Sequence, residues 1–124
     1  MLRIAHLADA ADPVMLIWGD GTALDRLAAL LRQAAENGRG MTLADPSQAP
    51  AVSLEITERG GGMTRMSGPQ FRWSLRRADC DRFAGLVEVV SISDTPCHQY
   101  LDDAEGRGLT IKVSKGEYPD DFRP

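Results

Sequence analysis

The pattern of apolar and polar residues along the chain predicts a series of short strands. Residues 2–8 (LRIAHLA) and 14–18 (VMLIW) are apolar segments separated by a turn that contains Pro13. VMLIW is apolar at every position, which favours a strand covered on both faces. Strict alternation over 51–57 (AVSLEIT) and 70–76 (QFRWSLR) is typical of strands with one buried and one polar face. The two kinds of pattern therefore predict both central and half-exposed strands.

The clearest helix is predicted over 22–37 (TALDRLAALLRQAAEN), where apolar residues recur at helical spacing. Thr22 and Asp25 resemble a capping box, with Asp in place of Glu, and Gly38 is a stop signal. The preceding Gly19-Asp20-Gly21 lacks the spacing of a dinucleotide or phosphate loop. It favours a tight turn in which Asp20 is the alternative cap.

A second helix is predicted to begin at Asp79, which can cap it, and to continue through the apolar positions 83–90. Pro96 then breaks the chain, and residues 97–101 and 109–114 predict a final hairpin. A short strand is predicted at 41–43. The glycine-rich residues 58–69 are predicted to be a mobile connection.

These elements predict an α+β fold: a single domain over residues 1–124, with a mostly antiparallel sheet and two helices packed on one face. Crossover helices are too few for a doubly wound parallel sheet. The sequence shows no internal repeat. The polar tail, residues 115–124, is expected to be loosely ordered, with Tyr118 and Phe122 able to tie it to the body.

Composition narrows the functional classes. The chain has 124 residues, 43% of them hydrophobic, and a net charge of −4, which argues against a general nucleic-acid binder. Cys80 and Cys97 form no CxxC motif, which predicts free thiols and a cytoplasmic protein. No signal peptide and no membrane-length apolar run are recognised. The excess of arginine over lysine is typical of a GC-rich bacterial genome.

A local basic region departs from the acidic average. Residues 63–82 carry five arginines against two aspartates, which suits an acidic protein partner. In the predicted strands the polar face carries Glu55 and Arg72, which could form a cross-strand ion pair. Trp73 points to the opposite face, so the stacking platform of an RNA-binding sheet is missing. The predicted partner-binding residues are Glu55, Arg72, Ser74 and Arg76.

The stretch PCHQYLDD, residues 96–103, is the strongest candidate for chemistry. Alternation on a strand places Cys97 and His98 on opposite faces, which excludes a local Cys–His nucleophile pair. His98, Tyr100 and Asp102 share a face, and a histidine oriented by a carboxylate is a general-base arrangement. No metal-ligand spacing is present, and no cofactor is predicted.

Glu117 or Tyr118 from the tail are candidate additions to this group. The competing interpretation is structural, because His and Tyr are ordinary residues of half-buried strands.

Two functions follow as expectations. The first is a non-catalytic protein-interaction module of a regulatory, assembly or immunity-type inhibitor kind, with no nucleic-acid or membrane partner. The alternative is a small enzyme or ligand-binding protein with a site at the last hairpin. Exposed strand edges also leave a homo-oligomer open.

Overall fold

The computed structural model describes residues 2–8, 12–43 and 50–124 as an α+β fold of two helices and eight strands. The fold class and the two helices are therefore confirmed. In chain order the elements are β1 (Arg3–Leu7), β2 (Val14–Trp18), α1 (Gly21–Asn37), β3 (Met41–Thr42), β4 (Ala51–Ile56), β5 (Gly62–Arg65), β6 (Gln70–Leu75), α2 (Arg77–Ser91), β7 (Cys97–Tyr100) and β8 (Thr110–Lys115).

The strands form two mixed sheets, whereas the sequence predicted one mostly antiparallel sheet. The first sheet has the order β1-β2-β8-β7, and the second has the order β3-β4-β6-β5. In each sheet the two outer pairs are antiparallel and the central pair is parallel. Neither central pair joins strands that are consecutive in the chain, so no hairpin turn in the sequence predicts these pairings.

The two halves of the chain repeat one topology. The order β1-β2-α1-β3-β4 recurs as β5-β6-α2-β7-β8, and each sheet combines one hairpin from each half. The buried positions of α1 recur in α2 at a constant offset of 56 residues, from Ala23 and Asp79 to Ala35 and Ser91. Residue types differ at most of these equivalent positions, which is why the sequence shows no repeat.

One apolar core contains the inward side chains of both sheets and of both helices, which pack on each other. Trp73 is fully buried and stacks on Phe83 with ring centroids 5.9 Å apart. Burial also raises the pKa of the Cys80 thiol to about 11, with smaller contributions from Asp81 and Asp79. Cys80 is therefore a protonated core residue at neutral pH.

The outer face of the first sheet carries a second apolar cluster. Met15 and Ile17 of β2 enter the main core, while Leu16 and Trp18 point to the other side. There they meet the aromatic rings of the tail segment, which we define as residues 116–124. The predicted burial of VMLIW on both faces is confirmed, and the tail segment provides the second cover.

The structure confirms the alternative cap of α1 and places the start of α2 before the predicted residue. Asp20 is the N-cap of α1, and its carboxylate accepts a hydrogen bond of 2.8 Å from the backbone N–H of Ala23. Thr22 is exposed, and Asp25 is bonded to the hydroxyl of Ser91, so the predicted capping box is wrong. α2 begins two residues before Asp79, which lies inside the first turn.

β5 lies within the segment that the sequence predicted as a glycine-rich connection. Its glycines allow two backbones to approach closely. A side chain at Gly62, whose φ is 78°, would come within 2.4 Å of the carbonyl oxygen of Arg107. A side chain at Gly108 would come within 2.7 Å of the backbone nitrogen of Met63. The glycines therefore allow residues 107–109 to lie directly against β5.

Candidate functional site

The outer face of the second sheet brings together three of the four predicted partner-binding residues. Glu55 lies on β4, and Arg72 and Ser74 lie on β6. The parallel register pairs Glu55 with Ser74 and Ser53 with Arg72. The residues that alternate with them are buried, so the polar side chains point away from the core. The predicted polar face is therefore present as one surface.

Glu55 and Arg72 form the ion pair that the sequence left open. Nε of Arg72 lies 3.3 Å from Oε2 of Glu55, and both side chains are a little under half exposed. An ion pair this exposed contributes at most about 1 kcal/mol to stability. The other N–H groups of the guanidinium stay available as donors, since a guanidinium carries five.

Arg76 lies at the edge of this face, beyond the end of β6, at the N-cap position of α2. Its Nε donates a hydrogen bond of 3.0 Å to Oδ2 of Asp79, which is itself buried. This hydrogen bond and the charge of Asp79 raise the pKa of Arg76. Asp79 also accepts from Arg82 at 3.3 Å. Part of the local arginine excess is thus neutralised within the chain.

A depression of about 560 Å³ lies over the outer face of the second sheet. Glu55, Arg72 and Met66 are among the residues that line it. Met66 is 49% exposed, while Met63 is fully buried. Of the two methionines in this segment, only Met66 is therefore available as a contact residue.

The last hairpin assembles a second polar group around a carboxylate of the tail segment. Nδ1 of His98 lies 3.0 Å from Oε2 of Glu117, and the hydroxyl of Ser114 donates to Oε1 of Glu117 at 2.5 Å. The hydrogen bond from Ser114 and the neighbouring His98 lower the pKa of Glu117, although partial burial opposes them. An ionised carboxylate only accepts, so Nδ1 of His98 carries the hydrogen.

Lys112 and Tyr118 extend this group along the first sheet. Nζ of Lys112 donates to the hydroxyl of Tyr118 at 3.1 Å and lies 3.9 Å from Oε1 of Glu117. Burial opposes the charged form of Lys112, but the hydrogen bond to Tyr118 and the nearby carboxylate outweigh it and raise the pKa of Lys112. Tyr100 stands beside His98, with ring centroids 5.4 Å apart.

Asp102, the third residue that the sequence placed with His98, is exposed and follows the end of β7. Within the described ranges, the carboxylate partner of His98 is Glu117. The neighbouring Asp103 has a structural role, because its carboxylate accepts from the backbone of Glu105 and from the backbone and side chain of Arg107. Burial opposes ionisation of Asp103, but these hydrogen bonds lower its pKa.

The polar side chains around Glu117 at the last hairpin, which we call the hairpin group, can perform only limited chemistry because of the order in which they are hydrogen-bonded. Glu117 lies between Ser114 and His98, so the serine hydroxyl is bonded to the carboxylate and not to the imidazole. A nucleophile activated by a histidine base needs a direct hydrogen bond between the two. Cys97 points to the core side, where its Sγ lies 3.8 Å from the carbonyl oxygen of Val90. Among the described residues, the group is an oriented histidine with no serine or cysteine hydrogen-bonded to its imidazole.

Comparison of this chain with protein-family models, with curated proteins and with solved structures finds no match. Among the residues that the structure describes, no group of three His, Cys, Asp or Glu side chains is arranged to hold a metal ion. In the same ranges, neither helix has the length and apolar character needed to cross a bilayer.

Proposed function

We propose that the protein is a non-catalytic interaction module that binds a protein partner through the outer face of the second sheet. The observation that carries this proposal is the difference between two equivalent faces. The outer face of the first sheet is covered by the tail segment, where Trp18 contacts Tyr118 and Phe122. The outer face of the second sheet carries exposed charged side chains around a depression.

The outer face of the first sheet indicates what kind of chain segment could bind the equivalent face of the second sheet. The tail segment crosses the first sheet as irregular backbone, and the carbonyl oxygen of Pro119 accepts a hydrogen bond of 3.1 Å from Nε1 of Trp18. On the second sheet the donors are Arg72 and Arg76 rather than an indole. A partner segment with carboxylates at two positions would therefore complement this face.

The first test maps contact by photo-cross-linking in extracts of the source organism. A benzophenone amino acid replaces Thr64, which is exposed on the outer face of β5 opposite Arg72. The control position is Ala29, exposed on α1. We expect a cross-linked protein at position 64 that is missing at position 29.

Charge reversal then tests the chemistry of the face. Arg72→Glu and Arg76→Glu should reduce cross-linking at position 64 at least tenfold, while Arg26→Glu, an exposed change on α1, should leave it intact. Arg72→Glu should change the free energy of unfolding by no more than about 1 kcal/mol. Undiminished cross-linking in both reversed variants would remove this face from the proposal.

The alternative function, a ligand site at the last hairpin, is supported by the orientation of His98 by Glu117. The nearest described cavity, about 400 Å³, is lined by residues 93–96 with Lys115 and Gly116 rather than by His98. The alternative requires that a screened small molecule raise the melting temperature of the wild type and of Cys97→Ser but not of His98→Ala. Equal stabilisation of all three proteins would refute it.

A further inference from the structure

A cavity of about 580 Å³ lies between the edge strand β1 and the turn that joins β5 to β6. Its apolar wall includes Ile4, Trp18, Phe71 and Phe122. Trp18 and Phe71 are almost completely buried, so much of this wall belongs to the packed body of the protein. A volume of this size is in the range of small-molecule sites.

The polar side chains that line this cavity are basic. They come from distant parts of the chain: Arg3 and His6 from β1, Arg65 from the end of β5, and Arg123 from the tail segment. Among the described residues, no carboxylate side chain contributes to the lining. Among the described residues, Arg3 forms an ion pair with Asp120, whose Oδ1 lies 3.8 Å from Nε of Arg3 and whose side chain is 83% exposed. This concentration of positive charge stands out in a chain of net charge −4.

Two of these basic residues have nitrogens without hydrogen bonds. Nε of Arg3 and Nε2 of His6 are buried and have no partner among the described residues. An unsatisfied buried donor costs about 1–3 kcal/mol, so such groups call for an explanation. His6 is held in place by an edge-on contact with Phe71, with ring centroids 4.9 Å apart. His6 points with Ile4 towards the main core and Arg3 points with Ala5 towards Trp18, so the two side chains border the cavity from opposite faces of β1.

We propose that this cavity binds a small organic anion with an apolar body, of the aromatic monocarboxylate class. The carboxylate would lie beside Arg3 and Arg123, and the ring would pack against Trp18 and Phe71. A guanidinium matches a carboxylate with two parallel hydrogen bonds. Inorganic phosphate would leave the apolar wall uncovered, which is why a ligand with a hydrophobic ring is favoured. The cavity shares Phe71 with the lining of the depression over the second sheet, but none of its basic residues lines that depression.

The test compares two probes that share the naphthalene ring and differ in the polar group, the anion naphthalene-2-carboxylate and the neutral alcohol naphthalene-2-methanol. Each is titrated into the full chain while NMR follows the indole N–H of Trp18 and the ring signals of His6. We expect saturable shifts at both residues with the carboxylate and at least tenfold weaker binding of the alcohol. Trp73, fully buried in the main core, provides an internal reference whose indole signal should stay still.

Variants locate the anion. Arg3→Gln and Arg123→Gln should each weaken binding of the carboxylate about fivefold or more, and Arg26→Gln on the exposed side of α1 should not. Arg123 is exposed, so its variant keeps the test valid if Arg3→Gln fails to fold. Equal affinity for acid and alcohol, shifts that avoid Trp18 and His6, or no saturable shift at all would each overturn the proposal.

Discussion

Replacing Phe122 by alanine should loosen the tail segment from the first sheet and expose Trp18. The ring of Phe122 meets Trp18 edge-on at 5.8 Å between centroids and Tyr118 at 5.0 Å. Trp18 is only 4% exposed, and both tail rings pack against the cluster that contains it. Loss of one ring therefore weakens the contacts of the other two.

The expected cost follows from burial. Removing a fully buried Phe side chain costs about 3–5 kcal/mol, and Phe122 is mostly buried, so we expect about 2–4 kcal/mol. Tyr118→Ala should cost a similar amount, because it also removes the hydrogen bond from Lys112. Since the two rings touch, the double variant should cost less than the sum of the single variants by about 0.5–1 kcal/mol.

Urea unfolding gives these free energies. Hydrogen exchange of the Trp18 indole N–H measures whether the tail segment stays in contact with the sheet, because that N–H donates to the carbonyl oxygen of Pro119. Ile92→Ala, at a position 79% exposed on the end of α2, is the matched control and should cost less than about 0.5 kcal/mol. If Phe122→Ala cost no more than this control and left the indole exchange rate unchanged, the tail segment would not cover the sheet as described.

Two further predictions concern single polar groups. Asp20→Ala should lower the free energy of unfolding by about 1 kcal/mol in urea melts, because it removes the cap of α1. Thr22→Ala should have almost no effect. A larger loss of stability for Thr22→Ala than for Asp20→Ala would support the capping box predicted from the sequence. Glu117 has a folded-state pKa below its ordinary value of 4.5, so its contribution to stability is present above that pH and is lost as the pH falls through the folded-state pKa. Glu117→Gln should therefore lose less stability on acidification than the wild type, and parallel stability–pH curves for the two proteins would contradict this assignment.

The sequence predicted local structure well where a side chain's position depends on its near neighbours. The strand at Val14–Trp18 begins and ends as predicted, and the alternation in β4 and β6 identified which side chains are buried. The opposite directions of Cys97 and His98 also followed from strand geometry alone. These features depend on the alternation of side-chain direction along a strand, which is set by a few consecutive residues.

The composition of the two candidate sites was only partly predictable. Alternation placed Glu55, Arg72 and Ser74 on one face, but the register that brings Glu55 to Arg72 required the pairing of β4 with β6. For the hairpin group, alternation favoured Asp102 as the partner of His98, while Glu117 was only a candidate addition. Glu117 reaches His98 because the chain turns back after β8 across its own sheet.

The cavity at β1 had no signal in the sequence, because its basic residues lie far apart along the chain and become neighbours only when the sheets assemble. Local periodicity thus determined which segments are helices and strands and which of their faces are apolar. Tertiary structure decided the two-sheet arrangement, the parallel central pairs and the cover provided by the tail segment. Those features arise from burying apolar faces against distant partners, and a segment's own pattern shows that it needs a partner without specifying which one.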